Sequence, residues 1–207
     1  EALIEDMNRH SEDRAFPVKP QKIIWDLRTV LPLDGIVLCD VGAHKMWMAR
    51  MFRCELPNTC IISNGFASMG IAVPGAVAAK LVAPERPVVA VTGDAGFLMN
   101  SQEIETALRL KLAFVILIWN DGGYGLIKWK QMNQFQRDSH VDFGNPDFVR
   151  YAESFGARGY RVTGPGQLQE ILKDALAQPT VTIIDCPVDY SENLKLTEQL
   201  GSFVCPI

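Results

Sequence analysis

The sequence predicts a three-layer α/β fold in which a mostly parallel six-stranded sheet carries helices on both faces. Two observations lead to this fold class. Short apolar runs recur along the chain, and segments with the 3.6-residue periodicity of helices separate them. In addition, 48% of the 207 residues are hydrophobic, which is enough to build the core of one large domain.

The elements alternate in the order that parallel sheets require, because a helix must carry the chain back before each new parallel strand. The predicted strands are residues 36–39, 60–62, 87–91, 113–119, 159–162 and 180–185. The predicted helices are residues 20–31, 45–52, 71–82, 100–111, 124–137, 146–155 and 167–177. Pro20 suits the first turn of the first helix, since a missing N–H is tolerated there.

The boundaries of the domain are predicted from composition. Residues 1–18 are polar and mixed in charge and are expected to be a linker, residues 19–190 to form the domain, and residues 191–207 to be a C-terminal tail. The chain begins at Glu1 without a methionine, which indicates a piece excised from a longer protein.

Composition excludes several classes of function. The net charge is −4 with acids and bases interspersed, so no basic surface for nucleic acid is expected. The longest apolar run, residues 113–119, is too short to span a membrane, and no secretory signal is expected before the fold. The five cysteines form no Cys-x-x-Cys pair. They predict reduced, mostly buried thiols in a cytoplasmic protein.

The chain is organised around one βαβ unit between residues 87 and 121. Asp94 follows its first strand and Asp121 its second, each with glycines close by. A right-handed crossover makes the two strands parallel neighbours, so both carboxylates emerge at the same edge of the sheet. Carboxylate oxygens and flexible glycines suit Mg²⁺ and a phosphate group. Spacing alone leaves ordinary turn or capping roles for both aspartates as an equal alternative.

Three strand ends share a small-residue turn that enters a helix, at residues 40–44, 93–96 and 121–124. Helix N-termini present unpaired N–H groups, so together these turns could hold an anion such as a diphosphate. A nicotinamide dinucleotide fold would show Gly-x-Gly-x-x-Gly after the first strand. The first turn of this chain does not match that pattern, which disfavours a dinucleotide cofactor.

Residues 93–95, Gly-Asp-Ala, followed by Asn120 and Asp121, resemble the Gly-Asp-Gly…Asn-Asn motif of thiamine-diphosphate enzymes. Within these enzymes the chain resembles acetolactate synthases at residues 63–70, 97–107, 151–157 and 187–191. The resemblance runs from about residue 18 onward and corresponds to the C-terminal, diphosphate-binding domain. Residues 141–144 and the Pro-Val-Asp-Tyr stretch are most similar to the FAD-independent, catabolic type.

The resemblance implies a cofactor site of Gly42, Ala43, His44, Ala67, Met69, Gly93, Asp94, Ala95, Gly96, Asp121, Gly123 and Tyr124. Asp94, Asp121 and the Gly123 carbonyl would hold Mg²⁺, and two oxygens of the cofactor diphosphate and a water would complete an octahedron. Ala95 stands where the Gly-Asp-Gly motif has its second glycine, and Asp121 stands where the motif has its second asparagine. His44 and the amides of residues 42 and 43 would reach the diphosphate.

Met69 would support the cofactor in a bent form, and the Ala67 carbonyl would accept a hydrogen bond from the 4′-amino group of its pyrimidine ring. Without the resemblance, plain core packing is the alternative for Met69. Tyr124, Leu126 and Ile127 would line the substrate side, although an amphipathic helix that merely packs would look the same. Trp129 is one position out of register with a family tryptophan, so that role is not transferred.

The implied activity is decarboxylation of pyruvate and ligation to a second 2-oxoacid, in a homodimer or homotetramer. The family's activating glutamate lies in a pyrimidine domain of the other subunit, and FAD, where used, binds a middle domain. Neither domain is matched here, so this stretch alone is expected to be inactive. The alternatives are another thiamine-diphosphate-dependent decarboxylase or carboligase, a non-catalytic nucleotide-binding module, and a domain with a vestigial site.

Overall fold

A computed structural model describes residues 10–193 and shows a six-stranded sheet in which every pairing between neighbouring strands is parallel. The strands lie in the order β2-β1-β3-β4-β6-β5. Their bounds are β1 (Ile36–Cys39), β2 (Cys60–Ile62), β3 (Val88–Gly93), β4 (Val115–Asn120), β5 (Arg158–Arg161) and β6 (Thr182–Pro187). The predicted parallel sheet is therefore confirmed.

Helices cover both faces of the sheet. They are α1 (Pro20–Val30), α2 (Ala43–Met51), α3 (Ala72–Val82), α4 (Asp94–Met99), α5 (Glu103–Arg109), α6 (Gly125–Phe135), α7 (Phe148–Phe155) and α8 (Leu168–Leu176). Because side chains alternate along a strand, Val89 and Val91 pack in one core cluster with α1, α2 and α8. Val88 and Ala90 pack in a second cluster with α3, α5 and α7. The three layers are those that the sequence predicts.

The site lies where the direction of chain winding reverses. From β1 the next strand in the chain, β2, lies on one side, whereas from β3 the next strand, β4, lies on the other side. The loop after β1 therefore leads to α2 on one face, and the loop after β3 leads to α4 and α5, of which α5 packs on the opposite face. Such a divergence opens a crevice at the carboxyl edge of the sheet, where ligands of α/β folds bind.

One helix was predicted over residues 100–111, and its predicted start is wrong. The structure has two short helices in this part of the chain, α4 and α5. Helix α4 begins directly after β3 at Asp94, and a break at residues 100–102 separates it from α5. The small residue Gly96 allows this early start, because a Cβ there would lie 3.3 Å from the Cγ of buried Asp40. At the break, Asn100 Nδ2 donates to the Gly70 carbonyl over 2.9 Å.

The helix predicted over residues 124–137 is present as α6. Its apolar side chains are largely exposed. Trp129 is the buried residue of α6, whereas Ile127 and Met132 are exposed by 47% and 38%. Tyr124 precedes the helix and is exposed by 38%. The apolar side of α6 is therefore available to another surface.

Both ends of the described chain contact the domain. Val18 is buried and forms a parallel bridge with Val188, beyond the end of β6. Trp47 Nε1 donates to Asn193 Oδ1 over 2.7 Å. The boundaries at residues 18 and 190 remain predictions, and the rest of the linker and tail, residues 1–9 and 194–207, lies outside the described residues.

The described cysteines are unpaired, as the sequence predicts, but they are not mostly buried. Cys39 and Cys186 are buried, whereas Cys60 is partly exposed and Cys54 is exposed. Cys54 lies in the segment between α2 and β2, and Cys205 lies outside the described residues. Within residues 10–193, no helix has the length and apolar character that crossing a membrane requires.

Candidate cofactor site at the carboxyl edge of the sheet

One cavity of about 180 Å³ lies at the crevice between β1 and β3, and every site residue predicted from the sequence lines it. The predicted lining residues are Gly42, Ala43, His44, Ala67, Met69, Gly93, Asp94, Ala95, Gly96, Asp121, Gly123, Tyr124, Leu126 and Ile127. Their roles in binding remain predictions. Three further lining residues, Val41, Gly125 and Tyr190, were not predicted from the sequence.

His44 forms a buried part of the cavity wall. It lies in the first turn of α2 and is 2% exposed, and its Nε2 has no hydrogen-bond partner among the described residues. Burial lowers the pKa of His44 to about 4, against the opposing effect of Asp40. The imidazole is therefore neutral at pH 7, with one buried nitrogen open to a group in the cavity.

Glycines make room for the His44 ring. A Cβ on Gly42 would lie 2.8 Å from His44 Cε1, and a Cβ on Gly93 would lie 3.4 Å from His44 Nδ1. Side chains at these positions would displace the ring or fill the cavity beside it. The small-residue turns that the sequence shows after β1 and β3 thus allow close approach of backbone and imidazole.

Asp94 is a buried carboxylate held by several donors. It is 1% exposed, and its Oδ1 accepts a hydrogen bond of 2.9 Å from the Ala95 amide. Its Oδ2 accepts from the Gly122 amide at 2.9 Å and from Asn145 Nδ2 at 2.6 Å. Burial raises the pKa of Asp94, and these hydrogen bonds oppose the rise. The carboxylate therefore has a fixed orientation.

Asp121 lies in the loop after β4 and lines the same cavity as Asp94. Desolvation by the cavity walls, followed by the charge of Asp94, raises the pKa of Asp121 to about 7, although the residue as a whole is exposed. A carboxylate whose pKa is raised by a second carboxylate is stabilised in its ionised form by a cation placed between the two. A Cβ on Gly125 would lie 2.5 Å from Asp121 Oδ2, so a larger residue at position 125 would displace the carboxylate.

The loop before α7 shapes the turn that carries Gly123. Gly123 forms an antiparallel bridge with Asp142, and the Tyr124 amide donates to the Val141 carbonyl over 2.8 Å. A Cβ on Gly123 would lie 2.9 Å from that carbonyl oxygen. The Tyr124 ring contacts the Phe143 ring with centroids 5.1 Å apart. Position 123 therefore requires glycine.

The segment that carries Ala67 and Met69 is held at its end. Gly70 donates its amide to both Asp40 carboxylate oxygens, at 2.9 and 3.0 Å, and its carbonyl accepts from Asn100. Ala67 has φ of +51°, a left-handed conformation that is unusual for a residue with a Cβ. Such strain persists where the surroundings determine the backbone, and functional sites often contain it.

Tyr190 closes the cavity on the side of β6. Its ring stacks on the buried Trp119 ring with centroids 6.4 Å apart. Burial, followed by the charges of Asp121 and Asp94, raises the pKa of Tyr190, so the phenol is protonated at pH 7. The resemblance at residues 187–191 was the signal that could have placed Tyr190 in the site.

These features define an α/β domain whose crevice combines two carboxylates with the N-terminal turn of a helix and a buried imidazole. A family described as thiamine pyrophosphate enzyme, C-terminal TPP binding domain, matches residues 40–186. Thiamine pyrophosphate and thiamine diphosphate are the same compound. The chain belongs to this family.

Curated relatives agree with the family. The chain is 46% identical over 184 residues to an acetolactate synthase of Bacillus subtilis, covering 89% of this chain and 32% of that protein. It is 37% identical over 192 residues to a catabolic acetolactate synthase of Raoultella terrigena, covering 93% of this chain and 34% of that protein. It is 36% identical over 190 residues to the large subunit of acetolactate synthase isozyme 3 of Escherichia coli, covering 89% and 32%. The chain spans about a third of the length of these relatives.

Proposed function

We propose that the chain is the cofactor-binding domain of an acetolactate synthase that acts on pyruvate with thiamine diphosphate and Mg²⁺. The observation that carries this proposal is the single cavity in which Asp94, Asp121 and His44 meet. The names of the relatives support the same activity, and the catabolic relative supports the catabolic type.

The residues present fit a diphosphate with its cation. Among residues 10–193, no group of three or more histidine, cysteine or acidic side chains could hold a metal by itself. Mg²⁺ typically binds one or two carboxylates and takes its remaining ligands from phosphate and water. Asp94 and Asp121 would hold Mg²⁺ together with the Gly123 carbonyl, and the amides of Gly42 and Ala43 would contact the diphosphate.

When bound, thiamine diphosphate supplies the electron sink that allows a 2-oxoacid to lose carbon dioxide and add to a second 2-oxoacid. The residues of this chain would anchor and orient the cofactor. Met69 and Ala67 line the same wall of the cavity and would support the cofactor, whereas Leu126 and Ile127 line the side open to substrate. The neutral His44 would hydrogen-bond within the buried end of the crevice.

The rim of the cavity supports a covering partner. Phe66, beside Ala67, is fully exposed, and Ile127 is exposed by 47%. Apolar side chains of this size in a group around a cavity mark an interaction surface. We place the pyrimidine domain of a second subunit here, in a homodimer or homotetramer, and we place the protein in the cytoplasm because its described thiols are unpaired.

The test uses the full-length protein that contains this chain, with pyruvate, Mg²⁺ and thiamine diphosphate. Carbon dioxide release and 2-acetolactate are measured, and both should require Mg²⁺ and thiamine diphosphate. A different product from a 2-oxoacid would indicate another carboligase or decarboxylase of the family. Tighter binding of NAD or ATP than of thiamine diphosphate, without turnover, would support a nucleotide-binding module instead.

A further inference from the structure

Asn145, in the segment between α6 and α7, contacts the carboxylate that the site presents to a cation. Its Nδ2 donates to Asp94 Oδ2 at 2.6 Å and to Asn120 Oδ1 at 2.9 Å. An ionised carboxylate only accepts hydrogen bonds, so the amide atom that faces Asp94 must be the nitrogen. Both N–H groups of this side chain are therefore used.

Further contacts fix the orientation of Asn145. Asn120 Nδ2 donates to Asp185 Oδ1 at 2.9 Å, so its oxygen must face Asn145. Asp185 in turn accepts from Arg161 Nε on its other oxygen, at 2.9 Å, and its side chain is 5% exposed. The ion pair of Arg161 and Asp185 thus orients the side-chain amide of Asn120. Asn120 in turn orients the amide of Asn145, which donates to Asp94.

This arrangement divides the two oxygens of Asp94 into different roles. Oδ2 accepts from both Asn145 and the Gly122 amide, and two donors occupy its two lone pairs. Oδ1 accepts from the backbone amide of Ala95 and is the oxygen that Asn145 does not hold. Asp94 can therefore offer one oxygen, not two, to a cation in the cavity.

We infer that Asn145 is a positioning residue that restricts Asp94 to one-oxygen ligation and thereby favours Mg²⁺ over Ca²⁺. The inference rests on the proposed function. Mg²⁺ takes an octahedral set of single oxygens, whereas Ca²⁺ accepts about six to eight oxygens and readily binds both oxygens of one carboxylate. Freeing Oδ2 would let Asp94 turn both oxygens toward the larger cation.

The test measures the affinities of Mg²⁺ and Ca²⁺ by calorimetry in the full-length protein saturated with thiamine diphosphate. Asn145→Ala should lower the Mg²⁺ affinity by about 10- to 100-fold, as losing an outer partner of a metal ligand typically does. The Ca²⁺ affinity should fall less, so the ratio of Mg²⁺ affinity to Ca²⁺ affinity should decrease. Asn145→Leu keeps a branched side chain of similar size and removes the donor without adding a charge. If the alanine variant does not fold, this variant should likewise show a smaller ratio of Mg²⁺ to Ca²⁺ affinity. Asn133→Ala, at an exposed position of α6, should leave the preference unchanged.

The outcomes separate the inference from the function on which it rests. A parent protein that shows no Mg²⁺ binding dependent on thiamine diphosphate would overturn both. If the parent binds Mg²⁺ and both folded variants keep its ratio of Ca²⁺ to Mg²⁺ affinity, only the role of Asn145 is wrong. Equal losses for the two cations would likewise reject selection between them.

Discussion

The backbone amide of Gly122 donates a hydrogen bond of 2.9 Å to Asp94 Oδ2 and joins the turn after β4 to the first residue of α4. The two residues are 28 positions apart in the chain. The contact brings the residue next to Asp121 onto the other acidic side chain of the site. The electrostatic coupling between the two carboxylates therefore depends on how their parallel strands end side by side.

Asp94→Asn should abolish the stabilisation of the full-length protein by Mg²⁺ and thiamine diphosphate. Mg²⁺ and thiamine diphosphate together, but neither alone, should raise the melting temperature of the parent. At a thiamine diphosphate concentration of about 100 times its dissociation constant, the free energy of unfolding should increase by about 2.7 kcal/mol. The substitution removes a charge and a hard oxygen ligand at once. Asp34→Asn, at an exposed position, is the matched control and should keep the shift. An Asp94→Asn protein with the parent's shift would remove Asp94 from the metal site.

Gly125→Ala should weaken Mg²⁺ binding without unfolding the cofactor-free protein. The added Cβ would lie 2.5 Å from Asp121 Oδ2 and must push that carboxylate aside. The same change favours the helix that starts at position 125, by up to about 1 kcal/mol. Calorimetry gives the Mg²⁺ affinity, and thermal melting without metal gives the stability.

The matched control for position 125 is Gly144→Ala. No heavy atom outside its chain neighbours lies within 4 Å of a Cβ at Gly144, so this variant should bind Mg²⁺ like the parent. Normal Mg²⁺ affinity in Gly125→Ala would show that Asp121 does not need its present position to bind the cation.

Met69→Ala should reduce turnover much more than cofactor affinity in the full-length protein. Met69 lines the cavity but has no hydrogen-bonding or ionic role toward the carboxylates. Misplacing a reacting group by about 1 Å can cost about 10²-fold in rate, while distant anchoring contacts survive. Steady-state kinetics over a thiamine diphosphate titration separates the two effects. Leu81→Ala, at an exposed position of α3, serves as control, and parallel losses in affinity and turnover would contradict the predicted role.

Asp121→Asn should make the metal-free protein relatively more stable as pH rises. The pKa of Asp121 is about 7 in the folded chain, above its ordinary value of 3.8. A raised carboxyl pKa stabilises the fold fully below the unfolded value, and this contribution is lost as pH rises through about 7. Asparagine does not ionise, so the difference in free energy of unfolding, variant minus parent, should increase between about pH 4 and pH 8. Solvent screening at this exposed position makes the effect smaller than the shift alone implies.

Urea unfolding at several pH values, with chelator present, measures this difference. Asp34→Asn should show no such trend. The same titration predicts that Mg²⁺ binds the parent more tightly at about pH 8 than at about pH 6, with release of a proton from Asp121. A difference between variant and parent that stays constant over this range would refute the raised pKa.

The sequence predicted the fold because its signals are local. Apolar runs such as residues 113–119 can be read as buried strands, and the alternation with helices permits few arrangements other than a parallel sheet. The start of α4 at Asp94 was not predicted. Its small residues resemble a loop, and they form a helix because Gly96 packs closely over Asp40, a contact between distant parts of the chain.

The positions of Asp94, Asp121 and His44 around one cavity could also be anticipated, because each follows a parallel strand and such strands end at one edge. What only the tertiary structure decided is which atoms meet there. Asn145 lies 51 residues from Asp94, in the polar stretch just before the helix predicted over residues 146–155. Likewise, the neutral state of His44 and the raised pKa of Asp121 come from burial and from neighbouring charges. Residue types and spacing determine which groups reach the edge of the sheet. Hydrogen-bond partners and desolvation depend on distances between segments far apart in the chain, and only the folded arrangement sets those distances.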